Sequence, residues 1–270
     1  MSTVATHRRF TATGAVSAAP LAALLLGAAL PVRLAAQPAL PAATHVYRVN
    51  GSLADERGGP SLVGLGGTVG PTSYTFGSNQ GLTLANALDS DVYSLELAFS
   101  FQTVSGYRKV VDFKNRAADN GLYVSYGKVV FAGTSASSAA PVVRENVPIH
   151  VLLTRAADRS VSAYVDGALA FSFLDNNNLA TFTGPGRVAG LFLDDLFFTG
   201  EHSAGVLEWA RVYDTALTAE QAAVRFAAGD ALLPVPTPPV STVPEPSTWA
   251  LLGTGLLAMG GAARRRRLVA

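Results

Sequence analysis

Oxygen-bearing side chains are the residues of this chain grouped closely enough to do chemistry. Asp194, Asp195 and Glu201 fall within one short stretch, D-D-L-F-F-T-G-E-H. Carboxylates gathered on a loop suit a hard cation, calcium above all, which takes its ligands from carboxylate and carbonyl oxygens. Asp175–Asn178 (D-N-N-N) is a second oxygen-rich turn. Neither stretch has the D-x-D-x-D-G spacing of a dedicated calcium loop. Asp and Asn also make turns by bonding their own side chains to nearby backbone, so calcium binding and turn-making compete at both places.

Other chemistries find less support. The chain has no cysteine, which removes disulfides, thiol nucleophiles and thiolate metal sites. His45, His150 and His202 stand far apart with no ligand spacing and read as surface or internally satisfied residues. Gly133-Thr134-Ser135 lacks the G-x-S-x-G frame of a nucleophile on a sharp turn. Gly64-Leu65-Gly66-Gly67 lacks the Lys-Ser/Thr and the following helix of a phosphate loop, so it reads as a glycine-rich strand and turn. Tyr107, Phe197 and Phe198 are the loop aromatics that could stack on a sugar ring. Trp209 lies in strand register, where core packing competes with any ligand role.

The elements that must position these residues are almost all strands. Tyr93–Phe101 alternates strictly, with Tyr93, Leu95, Leu97, Phe99 and Phe101 on one face and Ser94, Glu96, Ala98 and Ser100 on the other. That period of two marks a sheet with one face in the core. Pro148–Arg155 and Ser160–Val165 repeat it more loosely, and Leu122–Tyr126 and Ala204–Tyr213 read as further strands. Asp166–Gly167 is a two-residue hairpin signal, and Gly127 marks another tight turn. Ser135–Ala140 (S-A-S-S-A-A) reads as a flexible surface loop. Thr218 with Gln221 three places on makes a capping box for one short helix, given an apolar side by Val224 and Phe226 and ended by Gly229. Many short strands with regular turns predict an all-β sandwich of two antiparallel sheets over residues 44–229.

The order of these motifs resembles a laminin G-like domain of the concanavalin A-like lectin/glucanase superfamily. The resemblance is carried by V-Y-R-V-N-G-S-L-A-D (Val46–Asp55), V-V-D-F-K-N-R-A-A-D-N-G-L-Y-V-S-Y (Val110–Tyr126), the T-R … Y-V-D-G segment within Val151–Phe173, and G-V-L-E-W-A-R-V-Y-D-T-A-L (Gly205–Leu217). Glu208 stands where the family usually has Asp. The resemblance implies a concanavalin A-like jelly roll of two antiparallel sheets with one short C-terminal helix. It also strengthens the calcium reading, because many such domains bind calcium at the sandwich rim. Glucanases of the superfamily carry E-x-D-x-E carboxylates, which a period of two aims together into the cleft. That triplet is missing here: Glu96 is alone on its strand, Glu208 has no acidic neighbour two away, and Asp194 and Asp195 are adjacent. Catalysis of that type is therefore not expected.

The two ends carry addresses. His7, Arg8 and Arg9 precede an Ala/Leu-rich run, Ala15–Leu30, and small residues follow at Ala35–Ala36, as in a signal peptide over 1–36 cut by signal peptidase; Ala39–Ala43 also fits the cut. Residues 230–242 read as a stiff Pro-rich linker. Then come Pro244, Glu245 and Pro246, an uncharged run Trp249–Ala263, and Arg264, Arg265, Arg266 and Arg267. As a helix the run would reach about 22 Å, short of the ~30 Å hydrocarbon core unless Trp249 and Leu268–Val269 help it span. Four arginines stop translocation and stay cytoplasmic, which places the preceding domain outside. The order of motif, single transmembrane helix and basic end over 243–267 resembles the PEP-CTERM sorting signal of Gram-negative bacteria. That resemblance implies processing at the inner membrane by an exosortase.

Setting aside Arg8, Arg9, Arg33 and the tail arginines leaves about 13 basic residues against about 19 acidic ones, which disfavours nucleic acid as a partner. The sequence thus points to an exported, non-catalytic module of the cell envelope or exopolysaccharide matrix, of the kind found in biofilm matrices. Its expected partner is carbohydrate or a surface protein. A glycan-active enzyme with an atypical site and a structural matrix component without small ligand are the alternatives.

Overall fold

A strand whose side chains alternate can bury one face; two such sheets bury their inner faces against each other. The computed structural model describes residues 39–197 and 199–231 and shows this arrangement. Its elements, among the described residues, are β1 (His45–Tyr47), β2 (Val63–Leu65), β3 (Thr68–Val69), β4 (Tyr74–Phe76), β5 (Gly81–Leu84), β6 (Tyr93–Phe101), β7 (Tyr107–Asp112), β8 (Gly121–Ser125), β9 (Lys128–Ala132), β10 (Ile149–Arg155), β11 (Ser160–Val165), β12 (Ala168–Leu174), β13 (Ala189–Leu191), β14 (Gly205–Tyr213) and α1 (Ala219–Ala228). The larger sheet runs β12-β11-β10-β6-β14-β4-β3, with β1 also paired to β14, and the smaller runs β2-β5-β13-β7-β8-β9. Every pairing is antiparallel. The all-β, two-sheet architecture with one short helix is as the alternation and turn chemistry require.

Tyr93, Leu95, Leu97, Phe99 and Phe101 of β6 enter the core between the sheets, as do Val151 and Leu153 of β10 and Leu122 and Val124 of β8. Phe76, Phe99, Phe101 and Phe192 pack there as an aromatic cluster, with Phe76 and Phe192 stacked at 4.4 Å. Asp166 (φ 49°) and Gly167 (φ 78°) both adopt positive φ, the type I′ geometry that joins β11 to β12, and Tyr126–Gly127 (φ 47° and 77°) does the same between β8 and β9. Gly64–Gly67 is strand β2 and the turn into β3. Gly67 has φ 74°, and a Cβ there would lie 2.6 Å from the Tyr74 ring and hydroxyl, so the glycine serves packing. Ser135–Ala140 is not the free loop the composition suggests: Ser138 is buried and the segment bonds along β9 through Phe131 N to Ala136 O and Ser138 N to Val129 O.

The outer face of the larger sheet is closed by α1. Thr218 caps it in a capping box with Gln221. Its docked side is Ala222 and Arg225, whereas Val224 is only half-buried and Phe226 is exposed. The reason lies beneath it. Glu96, on the polar side of β6, is fully buried and accepts from His150 Nε2 (2.9 Å), Tyr213 OH (2.6 Å), Arg211 Nη1 (3.4 Å) and Arg225 Nε (3.3 Å). Burial by itself would raise the Glu96 pKa; the His150 hydrogen bond and the guanidiniums of Arg225 and Arg211 outweigh it and bring it down to about 2. A small apolar patch of Leu152, Tyr164, Tyr213, Leu217 and Ala222 completes the contact.

The segments expected to form the signal peptide, all but the start of the Pro-rich linker, and the sorting tail with Pro244–Pro246 and Arg264–Arg267 lie outside the described residues. Among the described residues no helix is long and apolar enough to cross a membrane. The domain's first residues are tied down: Ala39 O accepts from the Gln221 side chain, and Ala43 packs on the patch under α1.

Removing Glu96 strands two buried guanidiniums. Glu96→Ala should lower stability by about 3–5 kcal/mol in urea unfolding. Because its folded pKa is depressed, the carboxylate's contribution is complete above the ordinary value of 4.5 and is lost as pH falls through about 2. Glu96→Gln should lack that acid-limb loss of stability.

Candidate acidic site on the smaller sheet

On β7, Lys109, Val110, Val111 and Asp112 cannot all obey simple alternation, because both valines face the core. An irregularity in the β7–β8 register between Lys109 and Val111 absorbs the extra residue, so Lys109 and Asp112 both project outward. Lys109 lies directly across from Tyr123 of β8. The stretch after β13 then runs back beside β7, bonding through Phe192 N to Val110 O and Lys109 N to Glu201 O. It closes over Lys109 and leaves it 1% exposed.

Under this cover Lys109 Nζ donates to Asp195 Oδ2 at 2.7 Å and to Asn120 O at 3.2 Å, and it rests 4.4 Å from the centre of the Tyr123 ring. Tyr123 OH donates to Asp119 Oδ1 at 3.0 Å. Asp119, Asp195 and Glu201 bring one carboxylate oxygen each to within 4.8 Å of one another. Asp195 is 1% exposed; its Oδ1 and Glu201 Oε2 are buried without a hydrogen-bond partner. Burial raises the pKa of both Asp195 and Glu201, against the pull of Lys109 on the first and of the Tyr123 hydroxyl on the second. Burial likewise pushes the Tyr123 phenol well up, with the Asp195 and Glu201 charges adding to it. The pocket is short of positive charge.

Asp195 and Glu201 therefore meet as the sequence spacing suggests, but Asp194 does not join them. Its Oδ1 accepts from Asp195 N (2.9 Å) and its Oδ2 from Gly200 N (2.7 Å) and Glu201 N (2.8 Å), so its carboxylate clamps the loop. Asp119 takes the third place. Asp175 is also consumed structurally: it accepts from Arg155 Nε at 3.0 Å and from Leu179 N and Ala180 N, and Arg155 reaches Asn178 Oδ1 as well. His45 pairs with Asp55, His150 with Glu96, and His202 with Ser78.

Beside the carboxylates opens a cavity of about 530 Å³, lined by Tyr107, Asp119, Glu201 and the segment 130–137. Tyr107 is 47% exposed and meets Tyr123 edge-on at 5.9 Å. Phe197 is exposed on the covering loop, and Phe198 lies outside the described residues. Sequence reading missed Asp119, Lys109 and Tyr123. Asp119 stands far from Asp195 and Glu201 in the chain, and a lysine in a strand ordinarily marks a solvated face.

Hard oxygen donors with two buried, unpartnered oxygens fit a divalent cation such as calcium. An oxygen left unsatisfied in a dry site costs about 1–3 kcal/mol or more when charged, and a cation would remove that cost. The catalytic alternative has less geometry behind it. Asp195 is held by a buried ammonium and does not line the cavity, whereas Asp119 and Glu201 do.

Comparison with known proteins adds two findings. Residues 242–267 match the PEP-CTERM protein-sorting motif. The tail is a PEP-CTERM sorting signal. It marks the chain as exported and sorted through the membrane, and exosortase processing is what that signal directs. No curated protein matches the sequence. Solved structures of similar fold include domain 4 of AbnA, a GH43 extracellular arabinanase from Geobacillus stearothermophilus, in complex with arabinotriose. It is 18% identical, with TM-score 0.53, over 68% of this chain and 98% of that one. A Trypanosoma rangeli sialidase with 2,3-difluorosialic acid is 16% identical, with TM-score 0.54, over 70% of this chain and 32% of that one. The binding domain of botulinum neurotoxin serotype D is 11% identical, with TM-score 0.50, over 69% and 52%. This chain thus spans about a third of the sialidase. At such identities the likeness is one of β-sandwich fold.

Lys109→Met should destabilise the domain by about 3–5 kcal/mol by leaving Asp195 buried and unpaired. Adding Asp195→Asn to that variant should recover most of the loss in denaturant unfolding, the signature of a coupled pair.

Proposed function

We propose that this chain is an exported, envelope- or matrix-sorted glycan-binding module of laminin G-like, jelly-roll type that performs no catalysis. Its ligand site is the acidic cluster on the smaller sheet. One observation carries the reading: Asp195 Oδ1 and Glu201 Oε2 lie buried and unpartnered, converging with Asp119 beside a cavity edged by an exposed tyrosine. Asp119, Asp195 and Glu201 would hold a calcium-like cation. Such a cation, when bound, supplies further coordination positions that sugar hydroxyl oxygens can fill. Tyr107 would then offer its ring to the pyranose or furanose face, and Lys109 holds Asp195 in place and favours its charged form. The arabinotriose held by the arabinanase domain of similar fold supports a saccharide as the ligand class. The sorting tail supports delivery of the domain to the outside, where such polymers are.

Titration of the full chain in detergent with calcium chloride should show saturable binding, weakened roughly tenfold or more by Asp119→Asn or Glu201→Gln. Glycan-array binding should fall with chelator in the same way. Calcium binding without any glycan signal would favour a structural matrix role, and hydrolysis of any polysaccharide offered would favour the enzyme. For the tail, Glu245→Ala should accumulate unprocessed in the inner-membrane fraction. Processing and location equal to wild type would show that the motif is not read.

A further inference from the structure

The opposite face of the sandwich holds a second opening that the acidic cluster does not use. On β14 one edge pairs with β6 along its length, but the other is shared: β4 takes Gly205–Leu207 and β1 takes Ala210–Val212. Between them, Glu208 and Trp209 have no strand partner on that edge, and a register irregularity in the β14–β6 ladder falls at the same place. The larger sheet is locally one strand short, and a groove of about 810 Å³ lies over the gap. That volume is in the range of small-ligand sites.

The groove's floor is the cross-strand row His150–Ala98–Trp209 on the outer face. The two rings lean together over the small Ala98, 5.6 Å apart, and Phe226 of α1 continues the shelf 5.8 Å beyond His150. Trp209 is thus outside the inter-sheet core, though only 8% exposed, and its ring carries Arg211 at 4.2 Å. His150 Nε2 donates to the Glu96 carboxylate, which leaves Nδ1 as the ring's second polar atom. Nδ1 has no partner, although the ring is 93% buried. Asp166, Glu208 and Asp230 stand around the groove; of the guanidiniums beside them, Arg48 is paired with Glu56 at 3.7 Å and Arg211 with Glu96 at 3.4 Å.

We propose that this groove is a second binding site, for a neutral saccharide, independent of any cation. Phe226 and the accessible edges of Trp209 and His150 offer an apolar surface to the sugar's C–H face, the carboxylates accept from its hydroxyls, and His150 Nδ1 pairs with one of them. With both neighbouring arginines already paired to glutamates, the lining carboxylates disfavour uronate or sulfated chains, and the ligand we assign is uncharged.

The test is a glycan array of neutral polysaccharides and polyuronates, probed with the full chain in detergent plus EDTA. Three variants are compared: Glu208→Ala, Phe226→Ala and Asp195→Asn. Glu208 and Phe226 are not buried, and unchanged thermal melting checks that both variants fold. The proposal expects neutral-glycan binding that survives EDTA and Asp195→Asn but falls roughly tenfold or more in Glu208→Ala and in Phe226→Ala. Three results overturn it: no neutral-glycan binding in EDTA, a preference for polyuronates, or binding indifferent to both groove variants. Binding that is lost in EDTA and in Asp195→Asn but kept in Glu208→Ala upholds the acidic-cluster site and rejects this one. Binding that survives EDTA and Asp195→Asn but not Glu208→Ala upholds the groove, and the acidic cluster is then judged by its own calcium titration.

Discussion

An ionised carboxylate removed from water must be given charge or hydrogen bonds in return, and the outer faces of this sandwich are arranged around that demand. Glu96 has no solvent contact, yet both its oxygens are shared among a histidine, a tyrosine and two arginines. Its balance is closed, and the product is architecture: a helix fixed across three strands. On the other sheet three carboxylates converge, one of them paired with an ammonium, and two of their oxygens go unanswered. That balance is open, and an open balance of negative charge in a dry pocket favours a proton or a cation. The same physical rule thus separates the structural cluster from the candidate site.

Jelly-roll-like sandwiches commit their inner faces to one core, so whatever they bind must be met on an outer face, an edge or a loop rim. Here both outer faces are partly roofed. The helix roofs β6, β10 and β14, and the segment from Phe192 to Glu201 roofs β7. Ligand-sized openings occur where each roof stops: beside segment 130–137 on one side, and past the C-terminal end of α1 on the other. Each opening lies near a strand irregularity, one in β7 and one in β14. An irregularity changes which residues face outward without altering the sheet around it, which is how a regular fold acquires a site.

Much of the scaffold could be read directly. Strict alternation located β6, Asp166–Gly167 and Gly127 located two hairpins, and Thr218 with Gln221 located the start of α1. Those signals are local and depend on no distant partner. The site was legible only by halves. Asp195 and Glu201 were found because they are close in the chain, while Asp119 arrives from another loop and Lys109 from a strand. Asp194 misled because an aspartate that clamps a loop and one that binds a cation share the same composition. Trp209 misled for a different reason: plain alternation from Leu207 would carry it inward. The same alternation would carry Arg211 into the core as well. A guanidinium there is far costlier than an extra residue in the strand, so Arg211 was the available clue that parity shifts at Glu208.

The two proposed sites also differ in what would switch them. One depends on a cation filling an electrostatic deficit, so its occupancy follows the ionic conditions outside the cell. The other depends on rings and on short-range hydrogen bonds to an uncharged ligand, which respond little to salt. They lie on opposite outer faces of one rigid sandwich, so a single polymer segment cannot fill both at once without wrapping the domain. Two separate chains can. A domain exported by its tail and holding one glycan on each face would gain avidity from repetition along each polymer, with no need for high affinity at either site. Such binding suits a cross-link in a matrix better than capture of a soluble sugar. It also accounts for a module with an aromatic groove on one face and a separate acidic pocket on the other.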